Sequence, residues 1–284
     1  MSPTTLEQAL QRTAQQLVEA DIEDAGRDAR VLLGHVLDRD RAYLHAFPET
    51  LLSDEQLVQL SELVDRRIAR VPMSQVLGSR EFWSLDFQVT PDTLTPRPDS
   101  ETLVEAAVEQ FGDGPGPSTI ADLGTGTGCL LISLLTVWPQ SRGLGVDLSP
   151  EALAVACNNA RTCRVDERAR FLEGSWFEGI EDLFDLIVSN PPYIPSPDLA
   201  GLEPEVVQHE PHLALDGGQD GLDAYRALLP QLTGHLTDEG LVVLEHGAGQ
   251  GPEIETLALE NGLVVVTSRS DLAGLRRCLV LRAG

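Results

Sequence analysis

Four consecutive residues, Asn190-Pro191-Pro192-Tyr193, place an amide, two prolines and a phenol directly after a run of apolar residues. The Asn190 side chain offers an oxygen that accepts hydrogen bonds. Proline has no N–H, so the two prolines stiffen the turn and leave a carbonyl oxygen available to a ligand. Tyr193 adds a flat aromatic face and a hydroxyl. The combination favours a site for a planar substrate bearing an NH₂ group; the alternative is a proline-rich turn that only closes a strand.

A second pattern runs from Gly124 to Gly128 and reads GTGTG, between an apolar strand pattern and an apolar helix pattern. Glycines allow a tight turn and let a ligand approach the backbone. The spacing differs from the dinucleotide pattern G-x-G-x-x-G, and the G-K-[ST] of a P-loop is missing. About twenty residues further on, Asp147 ends the next strand pattern, where a carboxylate can accept hydrogen bonds from both ribose hydroxyls. Turn and acid together indicate a nucleoside cofactor, and both NAD and S-adenosylmethionine fit. The alternative is a turn that serves only packing, followed by an ordinary acid at a helix start.

These motifs need a scaffold that brings the ends of several strands to one edge. From residue 119 onward strand-like and helix-like patterns alternate, and Ser149-Pro150 marks one helix start. Repeated βα units predict an α/β fold with a Rossmann-like, doubly wound, parallel sheet. Open α/β sheets bind ligands at the carboxyl ends of their strands. The glycine turn, Asp147 and Asn190 are therefore predicted to lie close together.

The chain is predicted to have three parts. Residues 1–76 carry amphipathic helix patterns, one of them capped by Ser53, and form a small helical bundle for substrate recognition or packing. Residues 77–95 alternate apolar and polar positions and form a β-hairpin linker. Residues 96–284 form the domain that carries the motifs. Arg97, at its start, has two interpretations: it closes the site, or it anchors a helix through an ion pair.

Composition excludes several classes of protein. The net charge of −25 over 284 residues opposes the phosphate backbone of DNA or RNA, so we expect no direct nucleic-acid partner. The N-terminus lacks the pattern of a signal peptide and no apolar run is long enough to cross a membrane, so we expect a cytoplasmic protein. Neither the six histidines nor the cysteines have the spacing of metal ligands, and we expect no metal. The cysteines are Cys129, Cys157, Cys163 and Cys278.

The combination of DLGTGTG, the later Asp147 and NPPY resembles the S-adenosylmethionine-dependent N-methyltransferases that act on planar amides or exocyclic amines. Over about residues 70 to 284 the chain further resembles the protein-(glutamine-N5) methyltransferases, and most closely their peptide chain release factor (HemK) type. The segments that carry this likeness are GSREFWSLDFQVTPDTLTPRPDSETLVE, EPHLALDGGQDGLDAYRALLP and LEHGAGQG.

The resemblance implies S-adenosyl-L-methionine as cofactor, S-adenosyl-L-homocysteine as product and the glutamine of the GGQ motif in class-I release factors as acceptor. It implies that the glycine turn holds the methionine part of the cofactor, Asp147 its ribose and Trp176 its adenine. The implied cofactor residues are Gly124, Thr125, Gly126, Thr127, Gly128, Asp147, Trp176 and Asn190. The implied catalytic residues are Asn190, Pro191 and Tyr193, which with Pro192 clamp the glutamine side chain. A monomer is expected.

Three alternatives stay open. The ribosomal-protein glutamine methyltransferases share the same motifs and differ in the acceptor protein. A DNA adenine N6-methyltransferase would place an adenine amino group in the same clamp, but the charge of −25 and the lack of a basic, aromatic-rich domain oppose it. A non-catalytic binding module would keep the nucleoside pocket without turnover.

Overall fold

A computed structural model describes residues 3–112, 114–271 and 273–284. They form two compact units. The first comprises the described residues of Met1–Gly78 together with Glu203–His209, and the second the described residues of Ser79–Leu202 and Glu210–Gly284. The hairpin that the sequence predicts as a linker therefore belongs to the second unit. None of the helices in the described part of the chain is long and apolar enough to cross a membrane.

The helices and strands are numbered along the chain. The helices are α1 (Leu6–Glu19), α2 (Ala25–Leu37), α3 (Arg41–Ala46), α4 (Asp54–Ile68), α5 (Met73–Leu77), α6 (Glu101–Phe111), α7 (Cys129–Val137), α8 (Pro150–Thr162), α9 (Pro204–His209), α10 (Asp223–Leu232) and α11 (Gly251–Glu260). The strands are β1 (Ser79–Phe82), β2 (Leu85–Gln88), β3 (Thr119–Leu123), β4 (Arg142–Asp147), β5 (Ala169–Glu173), β6 (Phe184–Ser189), β7 (Leu236–Glu245), β8 (Leu263–Ser270) and β9 (Arg276–Ala283).

The first unit is built from α1 to α5 and α9, and local sequence sets where its helices begin. The Thr5 hydroxyl accepts a hydrogen bond from the Gln8 N–H, and the Gln8 side chain accepts one from the Thr5 N–H. Ser53 and Gln56 repeat this capping box at α4, which confirms the predicted Ser53 cap. Each box satisfies backbone N–H groups that the first helical turn leaves unpaired.

A buried ion triad ties α9 to α2 and α4 within the first unit. The Arg67 guanidinium on α4 donates to the Asp28 carboxylate at 2.7 Å and to the Glu205 carboxylate at 2.8 Å. All three side chains are less than 15% exposed. Arg70 adds a second, longer contact to Glu205, and the Gln75 side chain donates to the His209 carbonyl. The short helix α9 is therefore held by charges that lie more than a hundred residues away in sequence.

The second unit has a seven-stranded sheet in the order β5-β4-β3-β6-β7-β9-β8. The five strands from β5 to β7 in that order are parallel, whereas β9 runs antiparallel to both β7 and β8. The hairpin of β1 and β2 forms a separate antiparallel pair. This architecture confirms the predicted Rossmann-like α/β fold with a small helical N-terminal domain.

Helices cover both faces of the sheet. Side chains along one strand alternate between the faces. On β3, Ala121 and Leu123 belong to the apolar cluster that includes residues of α10 and α11, whereas Ile120 belongs to the cluster that includes residues of α6 and α7. The parallel strands are consequently apolar on both sides, and what remains open is the edge where the strands end.

Loss of the Arg67 side chain should destabilise the first unit. An Arg67→Ala change leaves the carboxylates of Asp28 and Glu205 without this partner in a nearly dry environment, which should cost about 3 kcal/mol or more. Hydrogen exchange of the α2 and α4 amides measures this. The matched control is Arg226→Ala, because Arg226 pairs with two carboxylates at the surface and its loss should change little. Equal exchange rates in the two variants would contradict the prediction.

Candidate active site

A cavity of about 260 Å³ lies in the second unit where four parallel strands end. Gly124 follows β3, Asp147 ends β4, Gly174 follows β5 and Asn190 follows β6, and all four line the cavity. Besides single residues of α8 and α10, Ala152 and Ala224, three further segments contribute to the walls. These segments are Asp92 to Leu94, Ser175 to Trp176, and the stretch after α9 that includes Pro211, Leu213, Ala214 and Asp216. The predicted convergence of the glycine turn, Asp147 and Asn190 is what the parallel sheet produces.

The glycine turn is held in shape by its neighbours on both sides. The N–H groups of Gly124 and Thr125 both donate to the Val146 carbonyl, at 2.8 and 2.9 Å. The Thr125 hydroxyl donates to the buried Asp122 carboxylate at 2.6 Å. Burial raises the pKa of Asp122 to about 7. The turn thus presents its backbone to the cavity from a fixed position.

Gly128 ends the turn and is the N-cap residue of α7. Its φ is +79°, a left-handed value that favours glycine. A Cβ at this position would lie 2.9 Å from the Ile132 side chain and 3.2 Å from that of Ala156. The role of Gly128 in the structure is therefore to let α7 and α8 approach each other. The buried Asn159 of α8 adds a hydrogen bond from its side chain to the Thr127 carbonyl.

The Asp147 carboxylate is oriented by two backbone donors. The Gly126 N–H donates to Oδ2 at 2.8 Å, and the Ser149 N–H donates to Oδ1 at 3.0 Å. Each carboxylate oxygen has a second lone pair that can accept a further hydrogen bond. Ser149 caps α8 through the Ala152 N–H, as predicted. The site therefore offers a fixed pair of acceptors for a diol such as ribose.

Trp176 has an unusual backbone conformation, with φ at +52°. A left-handed φ is rare for a bulky residue, and such residues concentrate at functional sites. Trp176 lines the cavity and is only partly buried. Its indole is thus available as an apolar surface for a planar group.

The clamp residues join a buried hydrogen-bond network. The Asn190 Nδ2 group donates to the Ser100 hydroxyl at 3.2 Å, and that hydroxyl donates to Oε2 of Glu245 at 2.5 Å. The Tyr193 hydroxyl donates to Oε1 of Glu245 at 3.4 Å. The Tyr225 hydroxyl donates to the Glu245 backbone carbonyl at 2.7 Å. One acid at the end of β7 thus connects the clamp to the start of α6.

Burial sets the titration of this network. Glu245 is 1% exposed, and the loss of water raises its pKa to about 7, although hydrogen bonds from Ser100 and Tyr193 and the charge of Arg277 oppose the rise. Burial and the Glu245 charge raise the pKa of the Tyr193 hydroxyl well above its ordinary value. Tyr193 therefore keeps its proton at neutral pH.

The backbone of the clamp loop is fixed by a second segment. The Ile194 N–H donates to the Leu215 carbonyl at 3.1 Å, and the Gly217 N–H donates to the Ile194 carbonyl at 2.9 Å. The Gln250 side chain donates to the Tyr193 carbonyl at 2.9 Å. These bonds hold the carbonyl groups of the loop in place without a regular strand.

Arg97 forms an ion pair, as one of its two sequence interpretations predicted, and its partner lies just after α9. Its guanidinium donates to the Glu210 carboxylate at 2.6 Å, and the Glu210 side chain is 1% exposed. The pair joins the segment before α6 to the segment after α9. Burial raises the pKa of Glu210 against the opposing charge of Arg97. Arg97 also borders a smaller cavity of about 50 Å³, which shares Leu94, Gly124, Gly126 and Asn190 with the larger one.

The structure separates the predicted site residues into three groups. Residues that line the larger cavity are Gly124, Gly126, Asp147, Trp176, Asn190 and Pro192. Thr125 and Thr127 line only the smaller cavity. Among the described residues that line these two cavities, Gly128, Pro191 and Tyr193 do not appear. Pro191 is buried and the Tyr193 hydroxyl faces Glu245. No cluster of three His, Cys, Asp or Glu in the described part of the chain could hold a metal ion.

Comparison with known proteins gives the family. A family model described as the PrmC N-terminal domain matches residues 8–78, and one described as the methyltransferase small domain matches residues 100–206. The release factor glutamine methyltransferase of Rhodospirillum rubrum is 44% identical over 281 residues, covering 99% of this chain and 86% of that protein. The chain belongs to the release factor glutamine methyltransferase family. The relative from Bradyrhizobium diazoefficiens is also 44% identical, over 98% of this chain and 95% of that protein.

Membership confirms the resemblance seen in the motifs and extends it. The likeness in sequence covers the helical N-terminal part as well, which precedes the stretch of about residues 70 to 284 that carries the resemblance. A solved methyltransferase structure from Pyrococcus furiosus shares the fold, with a TM-score of 0.54 at 20% identity over 76% of this chain and 98% of that one.

Three residues that support this site were missed from sequence. Glu245 ends an apolar strand just as Asp147 does, so the same signal was present in VVLEHG. Ser100 lies in none of the sequence motifs of the site. It occupies the cap position of α6, but its side chain makes no capping bond and donates to Glu245 instead. Asp122 lies in the DLGTGTG motif and is buried beneath the turn.

The raised pKa of Glu245 predicts a pH dependence of stability. Between its ordinary value of 4.5 and about 7, the folded chain holds a proton that the unfolded chain has released. The free energy of unfolding should therefore fall as pH rises through this window, by up to about 1.4 kcal/mol per pH unit for each such group. Urea unfolding at pH 5, 6, 7 and 8 measures the slope.

Glu245→Gln should remove the contribution of one titrating proton and so make that slope shallower. Asp122, whose pKa is also about 7, keeps its own contribution to the slope. An unchanged slope in Glu245→Gln would show that Glu245 titrates normally.

Proposed function

We propose that this chain transfers a methyl group from S-adenosylmethionine to the side-chain amide nitrogen of the glutamine in the GGQ motif of class-I release factors. The observation that carries the proposal is the shared lining of one cavity by Asn190, Asp147 and the glycine turn. This arrangement puts an amide clamp next to a nucleoside site. The names of the relatives, at 44% identity over almost the whole chain, supply the acceptor protein.

The residues of the cavity suit the cofactor. Asp147 offers two oriented acceptors for the ribose hydroxyls, and Trp176 offers a flat apolar wall for the adenine. The turn from Gly124 to Gly128 brings backbone close to the methionine part without intervening side chains. S-adenosylmethionine supplies, when bound, a methyl group activated by its sulfonium.

The clamp solves the poor reactivity of an amide nitrogen. Its lone pair is delocalised into the carbonyl, so the nitrogen must be held and turned before it reacts. In the proposal the Asn190 side-chain oxygen and the Pro191 carbonyl accept the two amide hydrogens, and the Tyr193 ring supports the planar group. Most of the rate then comes from near-attack placement and from acceptors that are already oriented.

The geometry calls for no strong base before transfer. The amide nitrogen gains the methyl group and releases one proton, which becomes acidic only as the new bond forms. Tyr193 holds its own proton firmly, because burial and the Glu245 charge raise its pKa. Both oxygens of Glu245 already accept hydrogen bonds, from Ser100 and Tyr193. Proton release to water past the clamp is the route that fits.

Two other acceptors define what the test must separate. A ribosomal-protein glutamine would enter the same clamp, so the chemistry would stay while the partner changed. An adenine amino group of DNA would also fit, but a chain of charge −25 repels the duplex. With the release factor as partner, we also propose a monomer that acts in the cytoplasm without direct contact to nucleic acid.

Transfer of tritiated methyl from S-adenosylmethionine tests the function. Purified class-I release factor, the same factor with its GGQ glutamine changed to alanine, ribosomal protein and duplex DNA are offered side by side. We expect label on the unmodified release factor and none on the alanine control. Label on ribosomal protein alone, on DNA alone, or nowhere would each overturn the proposal in a different way.

Alanine substitutions at Asn190 and at Asp147 should impair different steps, turnover in the first case and cofactor binding in the second. Asn190→Ala removes an oriented acceptor and should lower kcat on the order of 10²-fold while S-adenosylhomocysteine still binds. Asp147→Ala removes two acceptors for ribose and should weaken S-adenosylhomocysteine binding on the order of tenfold to a hundredfold. Calorimetric titration and single-turnover assays separate the two effects. A wild-type turnover rate in Asn190→Ala would contradict the clamp.

A further inference from the structure

The hydrogen bonds behind Asn190 can be followed by counting protons. An ionised carboxylate only accepts hydrogen bonds, and a serine hydroxyl has a single proton to donate. The Ser100 hydroxyl lies 2.5 Å from Oε2 of Glu245, so its proton is committed to that carboxylate. Ser100 can then only accept a hydrogen bond from its other neighbour.

That other neighbour is the Asn190 amide, 3.2 Å from the Ser100 oxygen. Of the two ends of the amide only the NH₂ group donates, so this end must face Ser100. The Asn190 oxygen is thereby turned away from Ser100. Because Asn190 lines both cavities whereas Ser100 lines only the smaller one, this orientation makes the amide an acceptor toward the larger cavity.

We propose that Ser100 and Glu245 are positioning residues, which fix the Asn190 amide with its oxygen toward the substrate. The inference rests on the proposed function for the identity of that substrate, a glutamine NH₂ group. Neither residue touches the substrate in this scheme. Each acts through Asn190, and the direction of every hydrogen bond follows from the carboxylate at the buried end.

The position of Ser100 supports this role. It stands at the cap position of α6, where a serine hydroxyl usually accepts a hydrogen bond from a backbone N–H of the first turn. Here the side chain makes no such bond and points to Glu245 instead. Ser100 and Glu245 are 3% and 1% exposed, so water cannot easily replace either partner.

The network also has a built-in pH dependence. Protonated Glu245 could donate to the Ser100 oxygen, which would free the Ser100 proton to face Asn190. The Asn190 side-chain amide could then rotate and exchange the positions of its oxygen and its NH₂ group. The groups around Glu245 come from every element packed against it. They are Asp99 and Ser100 before α6, Cys129 of α7, Tyr193 of the clamp loop, Tyr225 of α10, and Arg277 and Cys278 of β9. With the pKa of Glu245 at about 7, the oriented state should dominate above neutral pH.

Kinetics of three variants test the role. Ser100→Ala should lower kcat about tenfold to a hundredfold with the KM for release factor and the affinity for S-adenosylhomocysteine nearly unchanged. Ser100→Thr keeps the hydroxyl and should restore most of the rate. The matched control is Ser133→Ala, because Ser133 is fully buried on α7 and its hydroxyl has no partner among the described residues. Wild-type kcat should rise with pH through about 7, and Ser100→Ala should lose this rise.

A measurement without turnover keeps the inference separate from the proposed function. In ¹⁵N spectra of the full chain, the Asn190 side-chain NH₂ signals, assigned by their loss in Asn190→Ala, should shift with a midpoint near pH 7. Ser100→Ala and Glu245→Gln should each abolish that shift. If wild type methylates no release factor but the shift is present, the function fails and the positioning network stands. If Ser100→Ala keeps the wild-type kcat and the wild-type shift, the network is overturned.

Discussion

The Glu245 carboxyl group has almost no contact with water, so each hydrogen bond that it needs must come from another part of the second unit. Ser100 arrives from the start of α6 and Tyr193 from the loop after β6. Arg277 contributes its charge from β9. A misplacement of any of these elements would leave a buried acid without a partner, which is costly. This one requirement therefore couples the register of the sheet to the geometry of the clamp.

The same buried acid explains why the Asn190 amide would be held in one orientation. A glutamine clamp needs an acceptor, and an asparagine exposed to water could present either its oxygen or its NH₂ group. An amide has two ends that differ little in size but are opposite in hydrogen-bonding character. In the proposed network, a hydroxyl whose proton is already committed removes the wrong orientation of the half-buried Asn190 amide. In that proposal, the stability lost by keeping an acid in the core is offset by specificity for an NH₂ guest.

Much of this could be predicted from sequence, for identifiable reasons. The alternation of strand and helix patterns and the caps at Ser53 and Ser149 are local signals, and the structure reproduces both. The direction of β9 was not predictable, because a strand buried on both faces is apolar whichever way it runs. Pairings such as Ser100 with Glu245, and Arg67 with Glu205, depend on contacts across more than a hundred residues. No local pattern encodes such a partner, so the supporting residues of the site were missed while its motifs were found.

The placement of α9 has a consequence for how this protein can evolve. The chain leaves the second unit after Leu202 and returns at Glu210, and the segment between them is part of the first unit. The first unit is therefore assembled from two stretches of chain, one of which begins ten residues after the clamp residue Tyr193. Gene fusion or shuffling that exchanged only the first 78 residues would deliver an incomplete fold, with Glu205 still encoded in the recipient. Evolution of the first unit must then proceed by substitutions that keep its two stretches compatible, because this unit is not a detachable module.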